Sequence, residues 1–407
     1  NALYTNSTGY NNVAIGRGAA KLSTTGNYNV VVGDRAFETN TTGSSNTAVG
    51  DQALFSNTTA SYNTCIGYTA LNSNTTGSQN TASGYKALYL NTTAANNTAS
   101  GHQALYSNTT GTQNTASGVN ALLNNTTGSW NTAIGYEANR YNTTGSYNVA
   151  SGHKALYTNT TGSSNTASGY QALYSNTTAE YNTAVGYQSL YTNTTGYYNT
   201  AVGRASLQLN TTGHQNVALG FGALYSNTTG NYNTATGKGA MENNTTGSSN
   251  TASGYYALYT NTTGDYNVAF GDSALYANTT GSYNTASGYM AGNNITEGDY
   301  NICLGYNAEV SAVDVDQEIV VGNSITGKGT ETAFIGGTSG AYNEKNDAAW
   351  ETTSDRRIKK DIVDNNVGLS VIEQLQVRNF EYKTEDEIKT DNPELTDVVT
   401  SAVVNVE

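Results

Sequence analysis

The sequence predicts an all-β fold: a parallel β-solenoid (β-roll) of 17-residue repeats that is trimeric and ends in a short α+β C-terminal segment. Two unbroken series predict the solenoid. Glycine returns every 17 residues from Gly16 to Gly322, and asparagine does so from Asn12 to Asn301. Composition is the third observation, because 44 Gly, 32 Tyr and only 12% charged residues in 407 are unlike an ordinary globular chain. Self-similarity at a fixed period is the signature of a repeat architecture.

The repeating unit reads N-[TV]-A-x-G-x-x-A-L-Y-x-N-T-T-G-x-x, as in residues 250–266. It is too short for a pair of packed helices, which need about 33 residues, and its Asn and Gly disfavour a helix. The stretch N-T-A-x-G alternates and predicts a strand with Asn, Ala and Gly on one face. We expect A-L-Y to form a second strand and N-T-T-G to form a turn, in which Gly can take a positive φ.

Stacked coils of this kind place identical residues above one another, about 4.8 Å apart. Asparagine columns can then hydrogen-bond amide to amide along the axis, while Ala and Leu columns fill a thin, dry core. Eighteen such coils predict a rod of roughly 85 Å. The Leu column and the Tyr-rich face exceed what one thin core can bury, so we expect a homotrimer. The ladder positions are represented by Asn12, Asn29, Asn46, Gly16, Gly33 and Gly50.

Charge predicts the domain boundaries. Residues 1–308 hold 10 acidic and 8 basic residues, whereas residues 309–407 hold 20 acidic and 9 basic ones. We interpret 1–308 as the solenoid shaft and 309–353 as a β-rich neck or cap, because an open coil end exposes unpaired strand edges. In the neck, residues 319–322 keep the register and residues 333–337 leave it. The chain opens at Asn1 in the middle of a unit, so we expect its natural N-terminus to lie further upstream.

Several classes of function are disfavoured. No run of about 18 apolar residues exists, which argues against membrane insertion. The net charge of −13 argues against nucleic acid as a partner. Cys65 and Cys303 replace column alanines 14 coils apart, too far for a disulfide, and His102 and His153 are three coils apart. We therefore expect no metal and no cofactor.

Tyrosine recurs just after the column glycine and just before the column asparagine. Exposed aromatic rings could stack on the sugars of a cell-surface glycan, although ring-on-ring packing is the more favoured interpretation. The N-T-T triplets at Asn57, Asn74 and Asn227 match the N-glycosylation pattern, but turn chemistry is favoured there. The candidate glycan-stacking residues are Tyr68, Tyr85, Tyr136, Tyr170, Tyr187 and Tyr255.

The strand of the repeat resembles the N-S-V-A-I-G strands in the head repeats of trimeric autotransporter adhesins. The matching stretches are N-V-A-I-G at residues 12–16 and N-T-A-I-G at residues 131–135. This resemblance implies a left-handed parallel β-roll in a trimer, with turns longer than is usual in that family.

Residues 354–362, 367–375 and 379–383 resemble in order and spacing the start of the self-cleaving intramolecular chaperone domain of phage tail spikes, endosialidases and tail fibres. The shared pattern is S-D-x-R-x-K-x-x-I, a helix ending in Leu, then F-x-Y-K. The resemblance implies a cut between Thr353 and Ser354, with Ser354 as nucleophile and Lys359 as general base. Nearby Arg356, Arg357 and Lys360 would lower the pKa of that lysine. We interpret residues 354–407 as an incomplete domain, because the family's later G-x-x-A-Q-E stretch is not found in them.

These resemblances predict a tail-fibre shaft that attaches to a host or cell surface, located on a virion or outside a cell. Its partners would be two copies of itself and a cell-surface glycan or other receptor. Enzymatic activity would amount at most to one Ser–Lys self-cleavage. The alternatives are a bacterial surface adhesin with the same repeat and an ice-binding solenoid. The second would need a regular Thr array, yet Val13, Val30, Val149 and Val217 interrupt the Thr47 column.

Overall fold

The computed structural model describes residues 1–337 in full, together with the backbone of residues 341–344 and 351–352. The chain divides into two units, Asn1–Ser354 and Asp355–Glu407, and all described residues lie in the first. These residues form strands and turns, with no helix among them. The strands are β1 Val13–Ile15, β2 Val30–Val32, β3 Thr47–Val49, β4 Thr64–Ile66, β5 Thr81–Ser83, β6 Thr98–Ser100, β7 Thr115–Ser117, β8 Thr132–Ile134, β9 Val149–Ser151, β10 Thr166–Ser168, β11 Thr183–Val185, β12 Thr200–Val202, β13 Val217–Leu219, β14 Thr234–Thr236, β15 Thr251–Ser253, β16 Val268–Phe270, β17 Thr285–Ser287, β18 Ile302–Leu304, β19 Ala308–Glu309, β20 Ile319–Val321, β21 Ile325–Thr326, β22 Thr332–Ile335, β23 Ala341–Glu344 and β24 Glu351–Thr352.

The predicted parallel β-solenoid is confirmed. Strands β1–β18 and β20 each pair in parallel with the strand one repeat away, so that Thr166 faces Thr183 and Ala167 faces Ala184. Every coil thus repeats the last one, and like residues form columns.

At its C-terminal end the solenoid leaves the 17-residue period. Strand β22 still pairs in parallel with β20, but Phe334 lies opposite Val320 after only 14 residues. Strands β23 and β24 then add to the same sheet in antiparallel fashion, while β19 and β21 form a separate parallel pair. The register therefore persists through residues 319–321 and is lost at 333–335, as the sequence predicts.

The strands place one residue inside the coil and two outside. In β10 the middle residue, Ala167, is fully buried, and its neighbours face outward. Cys65 and Cys303 occupy this alanine column, are buried, and form no disulfide. Burial raises the pKa of both thiols, to about 12 for Cys303, where the carboxylate of Glu318 contributes as well. Both thiols are therefore poor nucleophiles in the folded chain.

The expected second strand at A-L-Y is wrong. In the coil at residues 250–266, Tyr256 and Leu258 take φ values of 51° and 53°, which belong to the left-handed region and not to a strand. The backbone N–H groups of Ala257 and Asn261 donate to the carbonyls of Gly254 and Leu258, both at 3.4 Å, and close two tight turns. Left-handed backbone costs roughly 1–2 kcal/mol per residue, whereas complete burial of a leucine is worth about 1.5–3 kcal/mol. Each coil thus contains one strand, and its turns direct the leucine inward.

Two asparagine ladders run through the interior, as the sequence predicts. The backbone N–H of Asn182 donates to Oδ1 of the previous ladder residue, Asn165, at 3.0 Å. In the N-T-T turn, Nδ2 of Asn193 donates to Oδ1 of Asn176 at 3.1 Å. The amides of Asn182 and Asn193 also both donate to the carbonyl of Gly196, each at 2.9 Å. The two ladders therefore meet at one backbone oxygen in each coil.

The first ladder ends at Glu318, which stands where the next asparagine would be. Its backbone N–H donates to Oδ1 of Asn301 at 2.9 Å. Its carboxylate is fully buried and accepts hydrogen bonds from the backbone N–H groups of Ser311 and Gly329, at 2.8 and 2.7 Å, and from the Ser311 hydroxyl at 3.0 Å. These donors satisfy the hydrogen-bonding capacity of the buried carboxylate. Glu318 thus closes the ladder and ties the neck to the last regular coil.

We predict that Gly186→Ala destabilises the solenoid more than Gly222→Ala. Gly186 has φ +134°, and a Cβ there would lie 2.5 Å from the carbonyl oxygen of Gly203 in the next coil. Strain and clash together should cost at least about 2 kcal/mol. Gly222 has φ +65° and its Cβ would meet nothing closer than 3.5 Å, so its replacement should add no clash and cost only the left-handed backbone strain of roughly 1–2 kcal/mol. Thermal unfolding followed by circular dichroism compares the two variants, and equal melting temperatures would contradict the prediction.

We also predict that Asn139→Leu stabilises the chain. Asn139 stands in the leucine column between Leu122 and Leu156, is fully buried, and neither polar atom of its amide has a hydrogen-bond partner among the described residues. Removing an unsatisfied buried amide should gain about 1–3 kcal/mol.

The matched control is Asn142→Leu. Asn142 is equally buried but donates to Oδ1 of Asn125 at 2.7 Å and to the Gly145 carbonyl at 2.9 Å. Its melting temperature should fall while that of Asn139→Leu rises. A fall in both would show that the leucine column does not accept leucine at position 139.

Candidate functional site

In the described part of the chain, the candidate functional features are exposed surfaces and not deep clefts. Within it, no group of three or more His, Cys, Asp or Glu side chains could hold a metal ion. None of its secondary-structure elements is a helix with the length and apolar character that a membrane span requires. The features that stand out are exposed aromatic columns and a long uncharged sheet face.

The first aromatic column follows the column glycine and contains the predicted glycan-stacking residues. The rings of Tyr68 and Tyr85 stack with centroids 5.6 Å apart and planes 9° apart, and His102 stacks on Tyr85 at 5.0 Å. The spacing of coils in a parallel sheet matches the spacing of stacked rings, so one column forms an aromatic pile. The faces inside the pile are covered, and the edges and end faces remain available.

A longer pile in the same column runs through Tyr136, His153, Tyr170 and Tyr187, with centroids 5.0–5.2 Å apart. Tyr255 instead tilts against Tyr256, with a centroid distance of 4.1 Å and an interplanar angle of 53°. The structure thus shows ring-on-ring packing within the chain. A glycan-stacking role for these tyrosines stays a prediction.

The tyrosines of A-L-Y form a second aromatic column, which is not among the predicted glycan-stacking residues. Tyr157, Tyr174 and Tyr191 stack in series at 5.1 Å. The signal was present, because these tyrosines share the same 17-residue spacing. In a third column, just before the ladder asparagine, Trp130 stacks on Tyr147 at 5.0 Å.

Cations replace rings at a few places in the first column. The guanidinium of Arg204 lies 5.7 Å from the ring centroid of Tyr187 and 5.4 Å from that of Phe221, one coil away on either side. The amine of Lys238 lies 5.2 Å from the centroid of Tyr255. These are cation–π distances, so the side chains of Arg204 and Lys238 pack against the neighbouring rings as another ring would.

Two neighbouring coils share a small charged cluster near the surface. Glu137 is nearly buried and pairs with Arg140 and, at 3.6 Å, with Lys154. Partial burial and a hydrogen bond with Tyr141 raise the pKa of Tyr157 to about 12. The cluster holds one carboxylate between two cations, which suits an ion pair and not the paired carboxylates of glycoside hydrolysis.

The asparagines of the N-T-T triplets point inward. Asn57, Asn74 and Asn227 are fully buried, and Nδ2 of Asn74 donates to Oδ1 of Asn57 at 3.1 Å and to the Gly77 carbonyl at 2.9 Å. The same amide nitrogen would carry a glycan, so glycosylation is incompatible with the folded coil. The favoured turn role is what the structure shows.

The outer face of the strands is uncharged from β1 to β18. The first residue of each strand is Thr, Val or Ile, and the third is Ser, Thr, Val, Ile, Leu or Phe. Several of these side chains are well exposed, with Ile15 at 61% and Phe270 at 47%. This sheet face is therefore a continuous uncharged surface that runs through eighteen strands.

The predicted catalytic residues, Ser354 and Lys359, lie outside the described residues. Residues 354–395 match the family model described as chaperone of endosialidase, and the match begins at the serine that the resemblance named. No curated protein and no solved structure matches the chain. A parallel β-solenoid followed by this segment fits a phage tail-fibre or tail-spike type protein that carries an endosialidase-type chaperone.

Proposed function

We propose that this chain is the shaft of a homotrimeric fibre that attaches to a host or cell surface and is assembled with the help of its C-terminal chaperone segment. The observation that carries the proposal is the chaperone match at 354–395, directly after the solenoid and its neck. Chaperones of this family template trimers of tail proteins, as the sequence resemblance implies. A solenoid supplies the reach of a fibre, because each added coil extends it by about 4.8 Å.

The strand face is the surface that suits the trimer. The leucine column was expected to contribute to the trimer interface. From Leu54 to Leu275 its leucines are fully buried inside the single chain and offer nothing to a partner. The strand face instead exposes Val185, Val202 and Leu219 in consecutive coils, at 37–39% each. A contiguous uncharged surface of this length is typical of an interface between subunits.

Charges on this face should weaken the trimer. We predict that the double variant Val202→Glu and Leu219→Glu gives smaller particles in light scattering than the wild type, whose mass should correspond to three chains. Like charges from three subunits would meet near one axis, where they are poorly solvated.

The matched control is Thr212→Glu with Thr229→Glu. These exposed threonines lie in the same two coils but outside the strands. This control should remain trimeric. A wild type that is monomeric, or a loss of trimer in both double variants alike, would contradict the proposed interface.

Self-cleavage at the end of the solenoid is the second part of the proposal. The Ser354 hydroxyl attacks the carbonyl carbon of Thr353, and Lys359 takes the hydroxyl proton and passes it to the departing Ser354 amine. The peptide bond becomes an ester, which water hydrolyses to release a chain that ends at Thr353. The support for these roles is the family match, which starts at Ser354.

We predict that Ser354→Ala and Lys359→Arg both abolish this cleavage, whereas Ser370→Ala, a serine elsewhere in the matched segment, leaves it intact. Arginine keeps the positive charge but cannot accept the proton. Denaturing electrophoresis and intact mass of the purified chain measure the fraction cut after Thr353. A wild-type chain that stays whole, or a Ser354→Ala chain that still splits there, contradicts the proposal.

A bacterial surface adhesin is the alternative, because the repeat resembles adhesin heads and the same shaft would serve it. The region upstream of Asn1 distinguishes the two: a virion-docking domain indicates a tail fibre, and a secretion signal indicates an adhesin.

A further inference from the structure

Three consecutive coils depart from the repeat at one outer position, two residues before the ladder asparagine. The remaining coils from Asn27 to Asp316 all have Ser, Thr, Asn, Asp or Ala there, and the first coil has Tyr10. These three coils have Glu180, Tyr197 and His214 instead. Large or charged residues in a column of small ones call for a local reason.

The departure interrupts a hydrogen-bond ladder. In ordinary coils the backbone N–H at this position donates to the small polar side chain one coil later, as Ser146 does to Oγ of Ser163 at 3.1 Å. Within the described residues, Ser163, Glu180 and Tyr197 make no such bond, and the ladder resumes where His214 donates to Oδ1 of Asn231 at 2.8 Å. The ladder is also interrupted at Ser78 and Ala95, between the bonds of Ser61 and Thr112. At Glu180, Tyr197 and His214, however, large side chains stand where the neighbouring coils have small ones.

Among the described residues, only one face of the Tyr197 ring has another ring stacked on it. Tyr197 stacks on His214, one coil later, with centroids 4.7 Å apart and planes 6° apart. Its opposite face therefore points toward the previous coil, where Glu180 replaces a small residue. Tyr198 is perpendicular to Tyr197, at 73°, and has one face covered by Tyr181 at 4.8 Å.

A groove of about 280 Å³ lies between the coil that contains Glu180 and the next coil, which contains Tyr197. It is lined by the three tyrosines, by Ala179 and Glu180, and by two exposed threonines, Thr178 and Thr195. The lining combines an aromatic wall, one carboxylate and two hydroxyls, and it contains no Lys or Arg.

We propose that this groove binds a neutral pyranose unit of a surface glycan. The apolar C–H face of a sugar ring packs on the uncovered face of Tyr197, whose π-cloud is negative and favours weakly positive hydrogens. The Glu180 carboxylate accepts hydrogen bonds from sugar hydroxyls, and the threonine hydroxyls both donate and accept. An apolar wall with a few convergent polar groups is the usual composition of a small-molecule site.

The charge of the groove excludes other ligands of similar size. An acidic sugar would bring its carboxylate or sulfate toward Glu180 with no cation in the lining to balance it. A quaternary ammonium needs several free ring faces around it, whereas here Tyr181 and His214 already cover faces of Tyr198 and Tyr197. The inference deepens the attachment role proposed above and rests on it for its biological meaning, but the binding itself is measured separately.

The experiment uses the purified full chain on an array of neutral oligosaccharides with terminal hexose or N-acetylhexosamine, together with sialylated and sulfated counterparts. Each oligosaccharide that binds on the array is then titrated into the protein by isothermal calorimetry. The wild type should bind at least one neutral oligosaccharide and bind its acidic counterpart at least tenfold more weakly.

Two variants restore the repeat and test the site. Tyr197→Ser and Glu180→Ser place in the groove the residue that is commonest at this position in the other coils, so the fold should be kept and the melting temperature should not fall. Each should weaken binding of the neutral oligosaccharide at least tenfold. The control is Tyr62→Ser, which removes an exposed tyrosine from a distant coil in a column where serine also occurs, and its binding should equal that of the wild type.

The inference is overturned if no neutral oligosaccharide binds, if acidic ones bind better, or if Tyr197→Ser binds like the wild type. These results differ from a failure of the proposed function. A trimeric fibre that attaches to cells equally well with and without Tyr197 overturns the groove alone, whereas a monomeric chain that still binds the sugar overturns the fibre alone.

Discussion

The amide-to-amide hydrogen bond between buried asparagines is the interaction on which the structure depends. A buried amide without partners costs roughly 1–3 kcal/mol, and each coil buries two. Asn193 is satisfied only because Asn176 and Gly196 lie in fixed places around it. One inserted residue would displace an amide from its neighbours above and below. The 17-residue period is unbroken from Asn12 to Asn301 because each buried asparagine must align with the asparagines in the coils before and after it.

Because the interior is nearly the same in every coil, the residues that distinguish one coil from the next lie mainly on the outside. Residues at the same outer position are separated by the spacing between strands of the sheet. Tyrosines at one position therefore stack at about 5 Å, and Arg204 fits between Tyr187 and Phe221. A strictly periodic surface would bind the same way everywhere. Departures such as Glu180 and Tyr197 distinguish one place along the solenoid from the rest.

The period alone predicted parallel stacking, register, both asparagine ladders and the alanine column, since all four depend on which residues recur and not on how the turns bend. It could not predict the A-L-Y segment, because φ 53° at Leu258 contradicts the intrinsic preference of leucine and is imposed by packing of the coil. The predicted glycan-stacking tyrosines all recur at one position of the repeat. Tyr197 departs from the repeat at its own position, so periodicity did not indicate the groove beside it. The roles of Ser354 and Lys359 rest on the motif and on the family match at 354–395, and they remain predictions.

A polar, self-matching interior also gives a reason for an assembly aid. A single coil of this sequence buries little apolar surface, and its asparagines have no partners until a second coil lies against it, so the first coils form at a cost that later coils recover. The stability of a stack of repeats comes from the interfaces between neighbouring coils. The terminal coils, which have only one neighbour, and the first coils to fold, which have none, are therefore the least stable. Glu318 satisfies one end within the chain. The chaperone-type segment that follows in the sequence, at 354–395, comes just after that end, where a template for the first coils would lower the nucleation cost most.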